Sequence, residues 1–107
     1  MSTFDDRENA FEAKFAHDSE MQFRAEARRN KALGLWAAAL LGKSGDAAMA
    51  YAAEVVMADI EEPGEDDVYR KLAADVGQLV TEAGIRAQMA NLMAEVKAKM
   101  AAEDAGN

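Results

Sequence analysis

A single proline, Pro63, stands in a chain of 107 residues whose β-branched residues are sparse and whose bulk is alanine, leucine, methionine, glutamate and lysine. With so few breakers and so many good helix formers, helix is the default wherever the chain is ordered. The interruptions are few and legible. Gly42-Lys43-Ser44-Gly45-Asp46 reads as a turn that hands over to Asp46 as a helix N-cap. Glu61-Glu62-Pro63-Gly64 ends one helix and opens the next, its acids clustered where a helix N-terminus attracts negative charge. Thr81-Glu82-Ala83-Gly84 is the third break, and Gly84 suits the left-handed position that follows a helix end.

Between these breaks the apolar residues recur at helical spacing. Leu33, Trp36, Leu40 and Leu41 anchor the first helix, and Met49, Ala52, Val56 and Ile60 form a thin stripe on the second. Val68, Leu72, Val76, Leu79 and Val80 make the third stripe. Ile85, Met89, Leu92, Met93, Val96 and Met100 make the fourth and cleanest. Four helices of roughly 15–25 residues joined by connections of about 2–5 imply antiparallel neighbours: an all-α four-helix bundle in one domain. Residues Glu103 to Asn107 are expected to fray.

The N-terminal residues do not fit this core. On an ideal helix Phe4, Phe11 and Phe15 fall within about 40° of one another. Thr3 is placed to cap that helix, with Asp6 three residues on and Asp5, Asp6 and Glu8 complementing its dipole. Along the same azimuth come Asp18, Gln22, Glu26 and Arg29, before the stripe turns apolar again at Leu33. A helix packed along its whole length on one core would not show that polar gap. The pattern predicts a core-facing half from about Leu33 and a separate stripe of three phenylalanines, with 1–19 as an amphipathic, mobile or partly helical segment and 20–104 as the bundle. Helix-in-groove recognition uses such i, i+4, i+7 anchors. The phenylalanines either serve a partner in this way or fold back onto their own bundle.

Charge narrows the partner. Of the net −8, residues 1–20 carry six acids against two bases, residues 21–43 five bases against Glu26 alone, and the remainder thirteen acids against five bases. One short basic patch in an acidic chain does not make a nucleic-acid or membrane binder. The longest apolar run, Leu35 to Leu41, is far short of a membrane span, and the acidic, polar start lacks the features of a secretory signal. A cytoplasmic chain that binds protein, monomeric when free, is the expectation.

No catalytic constellation emerges. Without cysteine there is no thiolate nucleophile, thiolate metal site or disulfide. Gly42-Lys43-Ser44 matches the end of a phosphate-binding loop, but the glycine required five residues earlier is Ala37, and a helix rather than a strand precedes it. His17, the sole histidine, lacks partners for catalysis or for zinc. The acids between Asp59 and Asp67 lack calcium-loop spacing. Neither a cofactor nor a metal is expected. Arg24, Arg28 and Arg29 remain: Arg24 and Arg28, four residues apart, repel unless something acidic faces them. They either pair with acids of the same bundle or form a patch for an anion or an acidic partner.

Phe4-Asp5-Asp6-Arg7-Glu8, Phe11-Glu12-Ala13-Lys14-Phe15-Ala16-His17-Asp18, Phe23-Arg24-Ala25-Glu26-Ala27-Arg28-Arg29-Asn30-Lys31 and Leu33-Gly34-Leu35-Trp36-Ala37-Ala38 together resemble the zeta subunit family. These are inhibitor subunits of alphaproteobacterial F-type ATP synthases. The likeness continues through Gly42–Asp46, Glu62-Pro63-Gly64, the Val68–Leu72 region and Ile85-Arg86-Ala87-Gln88-Met89. It implies a four-helix bundle with an N-terminal segment that inserts at a catalytic interface between alpha and beta subunits and blocks rotation in the hydrolytic direction. Phe4, Phe11 and Phe15 would then be apolar anchors, with Asp5, Asp6, Arg7, Glu8, Glu12 and Lys14 as polar contacts. The partners implied are the alpha, beta and gamma subunits of the membrane-bound synthase. From the residues alone, two other readings stay open: a helical adaptor for another protein, and a sensor of an anionic ligand.

Overall fold

The computed structural model describes the backbone of residues 3–61 and 65–105 and the side chains of residues 19–59 and 65–103. Four helices follow one another: α1 (Thr3–Leu40), α2 (Gly45–Glu61), α3 (Asp66–Val76) and α4 (Glu82–Ala105). There is no strand among the described residues. The all-α bundle expected from composition is present, but its helices are less even than expected. α1 runs for 38 residues and α3 for only 11.

The turn between α1 and α2 follows from Gly42. Its φ of +78° lets the chain close a paired C-cap: Gly42 N–H donates to the Ala39 carbonyl at 3.1 Å and Lys43 N–H to the Ala38 carbonyl at 2.8 Å. Asp46 does not cap α2; it lies in the first turn, behind the Ser44 carbonyl that accepts the Ala48 N–H at 3.4 Å. There it complements the helix dipole. Gly84 is likewise not a helix end. Thr81 is the N-cap of α4, its Oγ1 accepting the Gly84 N–H at 3.1 Å, so α3 stops earlier, at Val76. Of the expected Glu61–Gly64 break, Glu61 ends α2, and residues 62–64 lie outside the described residues.

Leu33, Ala37 and Ala38 of α1, Tyr51 and Val55 of α2, Val68, Leu72 and Val76 of α3, and Ile85 and Met89 of α4 form the core. A smaller cluster joins Ala25 to Val96 and Met100, with Met21 and Met93 packed against it. Packing on α1 therefore does not begin at Leu33 but reaches back to Met21, through buried Ala25, Arg29 and Asn30. The inward face of α2 also differs from the expected one. Met49 is 48% exposed and Val56 only partly covered, while Tyr51, Ala52 and Val55 point inward. Leu40 and Leu79 are exposed too.

Gly34 sets that rotation, because a β-carbon there would lie 2.4 Å from the Ala52 α-carbon. Ordinarily a helical glycine replaced by alanine gains about 1 kcal/mol of propensity. Here the obstacle is backbone, so the two helices must separate, and overpacking of that kind costs about 1–3 kcal/mol. Gly34→Ala is therefore expected to lower the urea midpoint with an unchanged slope; a raised midpoint would refute the close approach.

Candidate functional site

The site of interest is the end of the bundle that α1 outruns. Gly34 against Ala52 in an antiparallel pair brings Glu61, at the end of α2, level with Ala25. At about 1.5 Å per residue, α1 extends about 57 Å and α2 only about 26 Å. Among the residues whose side chains are described, the bundle grips α1 from Met21 onward. The helical backbone before that point is not matched by α2.

The candidate contacts Phe4, Asp5, Asp6, Arg7, Glu8, Phe11, Glu12, Lys14 and Phe15 all precede Met21, and their side chains lie outside the described residues, as does His17. The structure does place the three arginines, and it does not bring them together as one patch. Arg24 donates to Glu20 at 2.8 Å and Arg28 to Glu103 at 2.9 Å, both at the surface. Arg29 is 1% exposed: its Nε donates to Asn30 Oδ1 at 3.0 Å and its Nη1 to Glu65 Oε1 at 3.0 Å. Each guanidinium is thus met by a carboxylate of the same chain. Arg28–Glu103 ties α1 to the last turns of α4, beside the Ala25–Met100 cluster.

The burial of Arg29 had one sequence signal. Ala25, Arg29, Leu33 and Ala37 recur every four residues along one ridge of α1. Tyr51 was masked differently, since α2 is apolar almost all round and periodicity picks no face. Its hydroxyl donates to Asp75 Oδ2 at 2.7 Å, and its ring lies 5.0 Å from the Lys71 ammonium. Burial, then the Asp75 carboxylate, push the Tyr51 hydroxyl far above its ordinary value. Partial burial opposes ionisation of Asp75, yet the hydrogen bonds from Tyr51 and Lys71 outweigh it and hold the carboxyl below its usual range. This network ties α2 to α3 and is structural.

Among the described residues no group of histidine, cysteine and carboxylate side chains could hold a metal ion, and no helix is long and apolar enough to cross a membrane. The comparisons with known proteins point the same way as the residues quoted earlier. The family model for ATPase inhibitor subunit zeta matches residues 1–99, a span that takes in the N-terminal segment as well as the bundle. A protein solved by solution NMR is similar, with 58% sequence identity and a TM-score of 0.70, over 78% of this chain and 98% of that one. No curated protein matches. A match over nearly the whole length makes this chain a member of the ATPase inhibitor subunit zeta family, and so a regulatory subunit rather than an enzyme.

Proposed function

We propose that the chain inhibits ATP hydrolysis by the F-type ATP synthase through its first 19 residues, which insert as a helix at a catalytic interface between alpha and beta subunits. The observation that carries this reading is the mismatch between α1 and its bundle. Helix α1 is 38 residues long, and among the residues whose side chains are described its packing on the bundle core begins at Met21. The sequence ahead of that point holds Phe4, Phe11 and Phe15 on one helical face. A helix of about 18 residues is marginal alone in water, so this segment gains most of its stability from what it packs against.

In this reading the bundle is the body and the segment is the wedge. A helix lodged between alpha and beta, against gamma, must be expelled before the catalytic interface closes, and rotation in the hydrolytic direction stalls. Inhibition of hydrolysis alone requires the segment to prefer one conformational state of the motor over the others. No titrating group or cofactor takes part. The chain works in the cytoplasm on the membrane-bound enzyme.

The test is ATP hydrolysis by an F-type ATPase depleted of this subunit, with the full chain or a chain lacking residues 1–18 added back. Inhibition by the full chain alone is expected. Equal inhibition by both would move the active surface to the bundle and overturn the wedge.

A further inference from the structure

Phe23 is 66% exposed, more than any other large apolar side chain among the described residues. A lone apolar side chain at a surface ordinarily calls for no explanation. This one stands in a row whose next members are buried. Asn30 and Gly34 follow it at seven and eleven residues, within about 20° of its azimuth on α1, and both are closed off from solvent. Through Gly34 that row meets α2 at Ala52. Glu61, level with Ala25, ends α2 before it reaches Phe23. The row that α2 covers in the body of the bundle therefore runs on beyond α2, and there it presents a phenylalanine.

Two exposed i, i+4 pairs flank the ring. Arg24 donates to Glu20 at 2.8 Å about 60–100° to one side, and Gln22 donates to Glu26 at 3.1 Å about 60–100° to the other. The polar side chains partner one another and leave the ring between them, which is the pattern of an apolar anchor inside a polar rim. Behind the ring, about 160° round the helix, Met21 and Ala25 pack with Val96 and Met100 of α4. So α4 braces α1 at the level where Phe23 faces outward.

Helix α1 is also unbroken, with neither glycine nor proline from Thr3 to Leu33. Nothing in that stretch supplies a kink, so Phe23 and the N-terminal segment are points on one rod. By helical rise Phe23 stands about 12 Å behind Phe15 and about 28 Å behind Phe4.

We propose that Phe23 is a second anchor on the ATPase. When the segment enters the interface between alpha and beta, Phe23 seats in an apolar hollow on the subunit surface at its mouth and fixes how deep the segment goes. The inference rests on the wedge reading and deepens it, since it gives the bundle a contact of its own. Continuity selects this occupant: a rod that carries the segment between two subunits carries Phe23 to the edge of the same opening. Chemistry selects a hollow that is apolar, because the flanking side chains already satisfy one another and the ring alone is left without a partner surface.

The test uses the full chain on the ATPase depleted of this subunit. A photoreactive benzophenone analogue of phenylalanine at position 23 is expected to cross-link to alpha or beta. The same analogue at Leu79, 61% exposed in the turn before α4 at the far end of the bundle, is expected not to. Phe23→Ala should weaken inhibition about tenfold, and Phe23→Leu should recover most of the loss. Because the ring is exposed and alanine is the better helix former, the urea midpoint of Phe23→Ala should not fall.

Inhibition by Phe23→Ala equal to that of the parent would overturn the proposal. So would the lack of a cross-link from position 23, or equal cross-linking from both positions. A midpoint that falls together with inhibition would overturn it too, by making Phe23 part of the fold. The two readings fail separately: a cross-link from position 23 in a chain that inhibits nothing would sink the wedge, whereas inhibition indifferent to Phe23 would sink the anchor.

Discussion

Removing the exposed carboxylate of Glu65 is expected to cost this bundle about 3 kcal/mol, more than replacing its buried partner Arg29 by methionine. Arg29 is enclosed between Asn30 and Glu65, with 2% of its side chain accessible, against 61% for Glu65. Glu65→Ala leaves a guanidinium sealed in the core with a neutral amide as its remaining named partner. Arg29→Met removes the charge, keeps most of the volume, and releases Glu65 to water, where it is already half immersed. Replacement of buried ion pairs by apolar groups of similar volume is often near neutral. The residual cost falls on Asn30: among the described residues its Nδ2 has no partner, and its Oδ1 would lose the Arg29 donor, worth about 1 kcal/mol or more. Since a domain of this size has about 5–15 kcal/mol in all, the Glu65 variant should show a much lower urea midpoint at unchanged slope. The double variant should be no worse than Arg29→Met alone. A Glu65→Ala protein as stable as the parent would show that water reaches the guanidinium.

The same pair shows where the sequence ceased to be legible. The all-helical fold followed from propensity, and the α3 and α4 stripes were readable because Val68, Leu72, Val76, Ile85 and Met89 alternate with charged residues that point outward. On α2 no such contrast exists. Its buried face was decided by Gly34, a contact eighteen residues away in sequence, which no local period encodes. Arg29 broke the usual expectation that charge faces water, so the polar stretch ahead of Leu33 read as the end of packing when it was its middle. The helix ends were misplaced for a related reason: Thr81 and Gly84 both favour a break, and only the hydrogen bond between them shows on which side the helix lies. For the candidate site, the family likeness was visible in the residues, while the stripe of Phe4, Phe11 and Phe15 lies outside the described side chains. The grip of Met21 and Ala25 on the distal part of α4 was not visible, because alanine and methionine carry no sign of direction.

Phe11→Ala is expected to weaken inhibition about 10- to 100-fold without changing the stability of the bundle. Full burial of a phenylalanine contributes about 1.5–3 kcal/mol, and about 1.4 kcal/mol is a factor of ten in affinity. Alanine is also the better helix former, so the loss cannot come from a weaker helix. Exposed polar contacts at the edge of an interface are worth far less, and Asp5→Asn or Glu12→Gln should each change inhibition by only a few-fold. Equal effects from both classes would mean that the segment is held by charge rather than by its apolar face.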